Sequence, residues 1–187
     1  MKETARIISL KTRLAQTQTE LQEAYAEAAR AEISDYTFAN TDGPVKLSDL
    51  FGSKRDVVIM HSMGLTCANC TMVCDGFNGI YPHVRQRASF AVSGPDAPDR
   101  QAAFARERGW RFPMISHAGT TFARDMGFVG DNGRMLPGVS AFRRVGPAIM
   151  RVSAANFHAE TEFCAIWRLF DLLPEGADGW RPKFDYG

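Results

Sequence analysis

The sequence predicts an α/β fold, a mixed sheet with helices on both faces, and three observations carry that expectation. Extended apolar segments alternate with helical ones through the middle of the chain, two β-rich runs near the end have the spacing of a hairpin, and an amphipathic helix follows them. At 187 residues the length suits one domain with appendages and is sufficient to bury a core.

Residues 3–32 read as one polar helix. Ile7, Leu10, Leu14 and Leu21 recur at heptad-like spacing among Gln, Glu, Lys and Arg, and the seam thins to Ala24, Ala28 and Ala31. So narrow a stripe could pack on the domain or on a second copy of itself, so a homodimer through this helix is one expectation. The chain thus divides into a helical arm, residues 1–32, and a body, residues 33–187.

In the body, Tyr36–Ala39 is a short strand, Asn40-Thr-Asp-Gly-Pro44 supplies turn residues, and Lys46–Phe51 is a helical turn stopped by Gly52. Asp56–Met60 reads as a buried central strand. A helix from Ala68 to Val84 follows, with Gly76, Gly79 and Pro82 expected to break or bend it. Ala88–Ser93 is the next strand, Asp99–Arg108 a helix closed by Gly109, Phe112–Ser116 extended, and Thr120–Met126 a short helix. Val139–Phe142 and Ala148–Val152 flank a five-residue hairpin loop, Arg143–Pro147. Thr161–Leu173 is amphipathic, with Phe163, Ile166, Trp167 and Phe170 on one side.

With 22 Lys+Arg against 21 Asp+Glu, the net charge of +1 offers no basic field for nucleic acid. The apolar runs are too short for a membrane span, and the first residues lack the apolar core of a secretory signal, so a soluble cytoplasmic protein is expected. Four cysteines are too few for a disulfide scaffold at this size, and point instead to redox or metal chemistry.

The chemistry concentrates in His61-Ser-Met-Gly-Leu-Thr-Cys-Ala-Asn-Cys70, where a strand delivers Cys67 and Cys70 onto the start of a helix. Unpaired amides of a first helical turn and the helix dipole favour a thiolate there. Cys67 is the expected nucleophile and Cys70 the thiol that resolves a mixed disulfide, with Thr66 the expected cap. No organic cofactor is needed; the substrate would be a protein or small-molecule disulfide or a peroxide. On the competing reading both cysteines are buried packing residues and the chain is a binding or assembly module. Cys74, one turn beyond Cys70, and Cys164 are expected in the core. A Cys₃His metal shell from Cys67, Cys70, Cys74 and one of His61, His83 or His117 is a weaker alternative, so no metal site is assigned. Arg106, Arg108 and Arg111 around Trp110 read as a solvated helix end, and Asp75–Gly79 as structural.

The strand, C-x-x-C and helix order resembles the thioredoxin-like fold. The runs Cys70–Gly79, Arg108–Ser116, Pro137–Phe142 and Phe170–Gly176 together resemble an uncharacterised bacterial thioredoxin-like family, domain of unknown function eight-nine-nine, over nearly the whole chain. The resemblance implies the fold and brings no substrate with it. It also implies that Pro137 is the cis-proline facing the dithiol, so that Leu136, Pro137 and Thr66 form the expected substrate-binding set. Thr71-Met-Val-Cys74 is similar to the T-x-x-C run before a peroxidatic cysteine in peroxiredoxins, without the upstream proline.

Overall fold

The computed structural model describes residues 3–158 and 160–187. The chain runs α1 (Ala5–Ala29), β1 (Ala31–Ile33), β2 (Thr37–Asn40), β3 (Gly43–Lys46), α2 (Leu47–Leu50), β4 (Asp56–His61) and α3 (Ala68–Arg87). It continues through β5 (Ser89–Gly94), α4 (Pro98–Arg108), β6 (Met114–Ser116), α5 (Phe122–Asp125), β7 (Gly138–Val145), β8 (Ala148–Asn156) and α6 (Ala165–Phe170). The strands form one sheet in the order β1-β8-β7-β4-β5-β6-β2-β3. β4, β5 and β6 are parallel neighbours and the other pairings antiparallel.

Alternation along the central strands divides the core into two layers. Val57 and Ile59 of β4 point to one side, with Phe122, Phe128 and Phe142. Met60 points to the other, with Cys70, Cys74, Phe90 and Trp167, beneath α3. Asp56, at the start of β4, ties the sheet together at its far end. It accepts from Arg143 of β7 (Nε 2.7 Å, Nη2 3.1 Å) and from Arg87 at the end of α3 (Nη1 2.7 Å).

Several elements differ from expectation for identifiable reasons. α3 is one continuous helix to Arg87 despite Pro82. Proline removes the bond to the carbonyl four residues back, that of Asn78, and the Arg111 guanidinium donates to that carbonyl instead at 2.8 Å. Gly43–Lys46, read as turn and helix start, is strand β3; its Pro44 is tolerated because β3 is the outermost strand. The hairpin turns tightly at Gly146-Pro147 rather than through five residues, since Gly146 takes the positive φ, 59°, that a two-residue turn demands. α6 spans only Ala165–Phe170. The sheet begins inside the expected arm, because Ala31–Ile33 pair with β8.

The last turns of α1 lie on the same chain. Tyr25 and Ala26 are half-buried, Ala29 is buried, and the Ala29 carbonyl accepts from Arg151 Nε of β8 at 2.7 Å. No helix among the described residues is long and apolar enough to cross a membrane.

Candidate functional site

The site is the junction where β4 ends and α3 begins. Cys67 itself caps α3: its backbone is extended (φ −92°, ψ 102°) and its Sγ accepts from the Cys70 amide at 3.1 Å. This corrects the expectation for Thr66, which is exposed on the preceding turn and does not cap the helix. Three further bonds hold the approach. Cys67 N donates to the Gly64 carbonyl at 3.2 Å, Gly64 N to Ser62 Oγ at 3.2 Å, and Leu65 N to Asp96 Oδ2 at 2.8 Å. Asp96 carries no motif of its own, and only the crossing of β4 beside β5 brings it to this loop.

The two thiols differ in surroundings. Cys67 is half-buried, and its pKa is lowered from 9.0 to about 7. The hydrogen bond with the Cys70 thiol contributes most to this, and the Cys70 and Asn69 amides add to it against the opposing effect of burial. Cys70 is 3% exposed and its pKa is raised. The same sulfur–sulfur hydrogen bond is the largest cause, followed by burial and the charge on Cys67. Met63 N also donates to Cys70 Sγ at 3.5 Å. Near neutral pH the pair is arranged as a half-buried thiol that ionises readily beside a buried one that keeps its proton.

The other sulfurs are withdrawn from solvent. Cys74 is 2% exposed, donates to Met60 Sδ at 3.3 Å, and has its pKa pushed up chiefly by burial. The run that is similar to a peroxidatic motif therefore ends in a core thiol. Cys164 is buried at the start of α6.

Pro137 shares with Cys70 a cleft of about 20 Å³, lined also by Asn69, Val73, Phe157 and Thr161, which Cys67 does not line. Leu136 is half-buried and does not line that cleft. The Leu136–Pro137 bond is trans, as is every peptide bond among the described residues, which corrects the cis expectation. The backbone here is engaged within the fold: Leu136 N donates to Phe128 O at 2.9 Å, and Pro137 O accepts from Phe157 N at 2.8 Å.

His61 turns to the opposite face of the sheet from Met60 and the thiols. Its ring stacks on Phe128 at 3.8 Å and its Nε2 meets Ser140 Oγ at 3.0 Å. Burial, first of all, holds its pKa well below the usual histidine range. His117 is buried on that same side against Ser93 Oγ at 2.8 Å, and His83 is exposed on α3. Among the described residues no three His, Cys, Asp or Glu side chains are grouped to hold a metal ion.

Of the arginines around Trp110, Arg106 is solvated as expected, whereas Arg108 and Arg111 are engaged with α3. Arg108 binds Asp75 through Nε and Nη2 (3.1 and 2.5 Å), and Trp110 Nε1 donates to the same carboxylate at 2.8 Å. Asn78 accepts from Arg111 N at 2.9 Å. The segment after α4 is thereby locked onto α3, the helix that carries the dithiol.

This architecture is the thioredoxin-like fold, extended by a long N-terminal helix. Peroxidoxin BcpB from Mycobacterium tuberculosis superposes with a TM-score of 0.56 at 23% identity, covering 73% of this chain and 89% of that one. A peroxiredoxin Q from Xanthomonas campestris superposes with a TM-score of 0.55 at 16% identity, covering 65% and 79%. The chain belongs to the family described as "Bacterial protein of unknown function (DUF899)", matched over residues 10–184. No curated protein is matched by its sequence.

Proposed function

We propose that this protein is a thiol-disulfide oxidoreductase in which Cys67 attacks and Cys70 resolves. The observation that carries the reading is the unequal pair: a half-buried thiol held near pKa 7 beside a buried one that keeps its proton. The Cys67 thiolate displaces one sulfur of a substrate disulfide, which leaves as a thiolate and takes up a proton. Cys70 then loses its proton and attacks Cys67 Sγ, closing the Cys67–Cys70 disulfide and releasing the second substrate thiol. Two electrons pass to the substrate, and an external thiol reductant restores the dithiol.

A peroxide is the second substrate class, and the fold shared with proteins named peroxiredoxins favours considering it. There the thiolate would attack one peroxide oxygen, forming a sulfenic acid and releasing water or an alcohol. Cys70 would then expel a second water as the disulfide forms. Under both readings Cys67→Ser abolishes turnover. Cys70→Ser separates them, accumulating a mixed disulfide with a disulfide substrate and a dimedone-reactive sulfenic acid with hydrogen peroxide. Undiminished turnover of both substrates by Cys67→Ser would make the dithiol non-catalytic and overturn this reading.

A further inference from the structure

From Ala5 to Ala24 every residue of α1 except Ile7 is exposed, a projecting length of about 30 Å at 1.5 Å per residue. Leu10 is 50% exposed, Leu14 58% and Leu21 42%. Helices in water are stabilised mainly by packing an apolar stripe. Among the described residues only its far end, at Leu21 and Ala28, borders the domain.

The pattern of charge beside the stripe says what would. With Ile7, Leu14, Leu21 and Ala28 at position a of the heptad and Leu10, Thr17 and Ala24 at d, the g positions are Arg6, Arg13, Glu20 and Glu27. The sign reverses halfway along the helix. None of these four side chains makes an ion pair among the described residues. The residues that α1 lays toward β8, Tyr25, Ala26 and Ala29, fall at e, f and b, so the a, d and g stripe stands beside the domain contact and not under it.

A parallel pair of helices would set g against e and bring Arg6 onto Lys11 of the other copy, a like-charge contact. An antiparallel pair sets g against g. It then matches Arg6 with the partner's Glu27 and Arg13 with the partner's Glu20, and each match occurs twice by two-fold symmetry. The same register lays Ile7 on the partner's Ala24, Leu10 on the partner's Leu21, and Leu14 on the partner's Thr17. A cavity of about 350 Å³ between α1 and the sheet, lined by Leu21, Tyr25, Val139, Ala141 and Phe163, adjoins the place this register gives to the partner's Leu10.

We propose that two copies of this chain associate through an antiparallel pair of α1 helices. The arrangement is independent of the thiol chemistry. Sedimentation tests it on the full chain: the wild type runs at twice the 20.7 kDa monomer mass. Arg13→Glu or Glu20→Arg alone raises the dimer dissociation constant about tenfold or more at low salt, and the double exchange Arg13→Glu/Glu20→Arg restores it toward wild type. A wild type that stays monomeric at high micromolar concentration, single variants that dimerise unchanged, or a double exchange no tighter than either single one would each overturn the proposal.

Discussion

The lowered pKa of Cys67 owes more to its neighbour than to the helix alone. The thiol of Cys70 is the largest cause of the lowered Cys67 pKa, ahead of the two backbone amides. Cys70→Ala should therefore move the midpoint of Cys67 alkylation upward from about 7 toward the ordinary 9.0, read as iodoacetamide rate against pH. A midpoint left near 7 would assign the effect to the helix amides. The sign for stability follows the thiolate, which the folded state favours: the contribution is complete above the unfolded value near 9 and fades as pH falls through about 7. The C-x-x-C spacing at a strand-to-helix turn made both cysteines legible in the sequence. The roles of Ser62, Met63 and Asp96 were not, because each reaches the site by a loop path or a strand crossing that no local pattern records. Thr66 was misread because the cysteine itself takes the capping position that a threonine ordinarily fills.

At the scale of elements, two of the runs that mark the family turn out to be the halves of one contact. Asp75 and Asn78 on α3 receive Arg108 from the end of α4 and Trp110 and Arg111 from the segment after it, and Arg111 also replaces the hydrogen bond that Pro82 removes. Local propensity predicted a break at Pro82, and a tertiary contact with a residue 29 positions later overrode it. β1 and β3 escaped notice for the opposite reason: three- and four-residue edge strands carry too little alternation to read. Gly138, at the start of β7 beside the dithiol cleft, is the tightest glycine. A Cβ there would sit 2.2 Å from Phe128 Cε1 and 2.5 Å from the Ala155 carbonyl oxygen. Gly138→Ala should cost about 3 kcal/mol in denaturant unfolding, as an overpacked site against backbone. A loss under about 0.5 kcal/mol, the level of a neutral surface change, would mean that β7 and β8 can separate freely there.

For the molecule as a whole, the alternation of strand and helix gave the two-layer core correctly, since Val57, Ile59 and Met60 divide between faces as a central strand must. The polar fastening of that core lay beyond reach of the sequence. Asp56 joins residues 31 and 87 positions away and has its carboxyl held down to about 2, first by the hydrogen bond from Arg143. A depressed carboxyl contributes stability above its unfolded pKa near 4 and loses it as pH falls toward 2. Asp56→Asn should thus lower stability at pH 7 by about 1 to 2 kcal/mol, after allowance for its partly exposed arginine partners, and the difference from wild type should vanish by about pH 2. A variant with an unchanged acid limb in urea titrations would remove Asp56 from that role.

The borders of the sheet have a consequence for assembly. One margin, β3, contains Pro44, which has no amide hydrogen to offer a newcomer, and the other, β1, is only three residues long. Margins so blunted resist lengthening by added backbone, the usual route to fibres. Replacing Pro44 with valine would remove one of those barriers without touching the thiols.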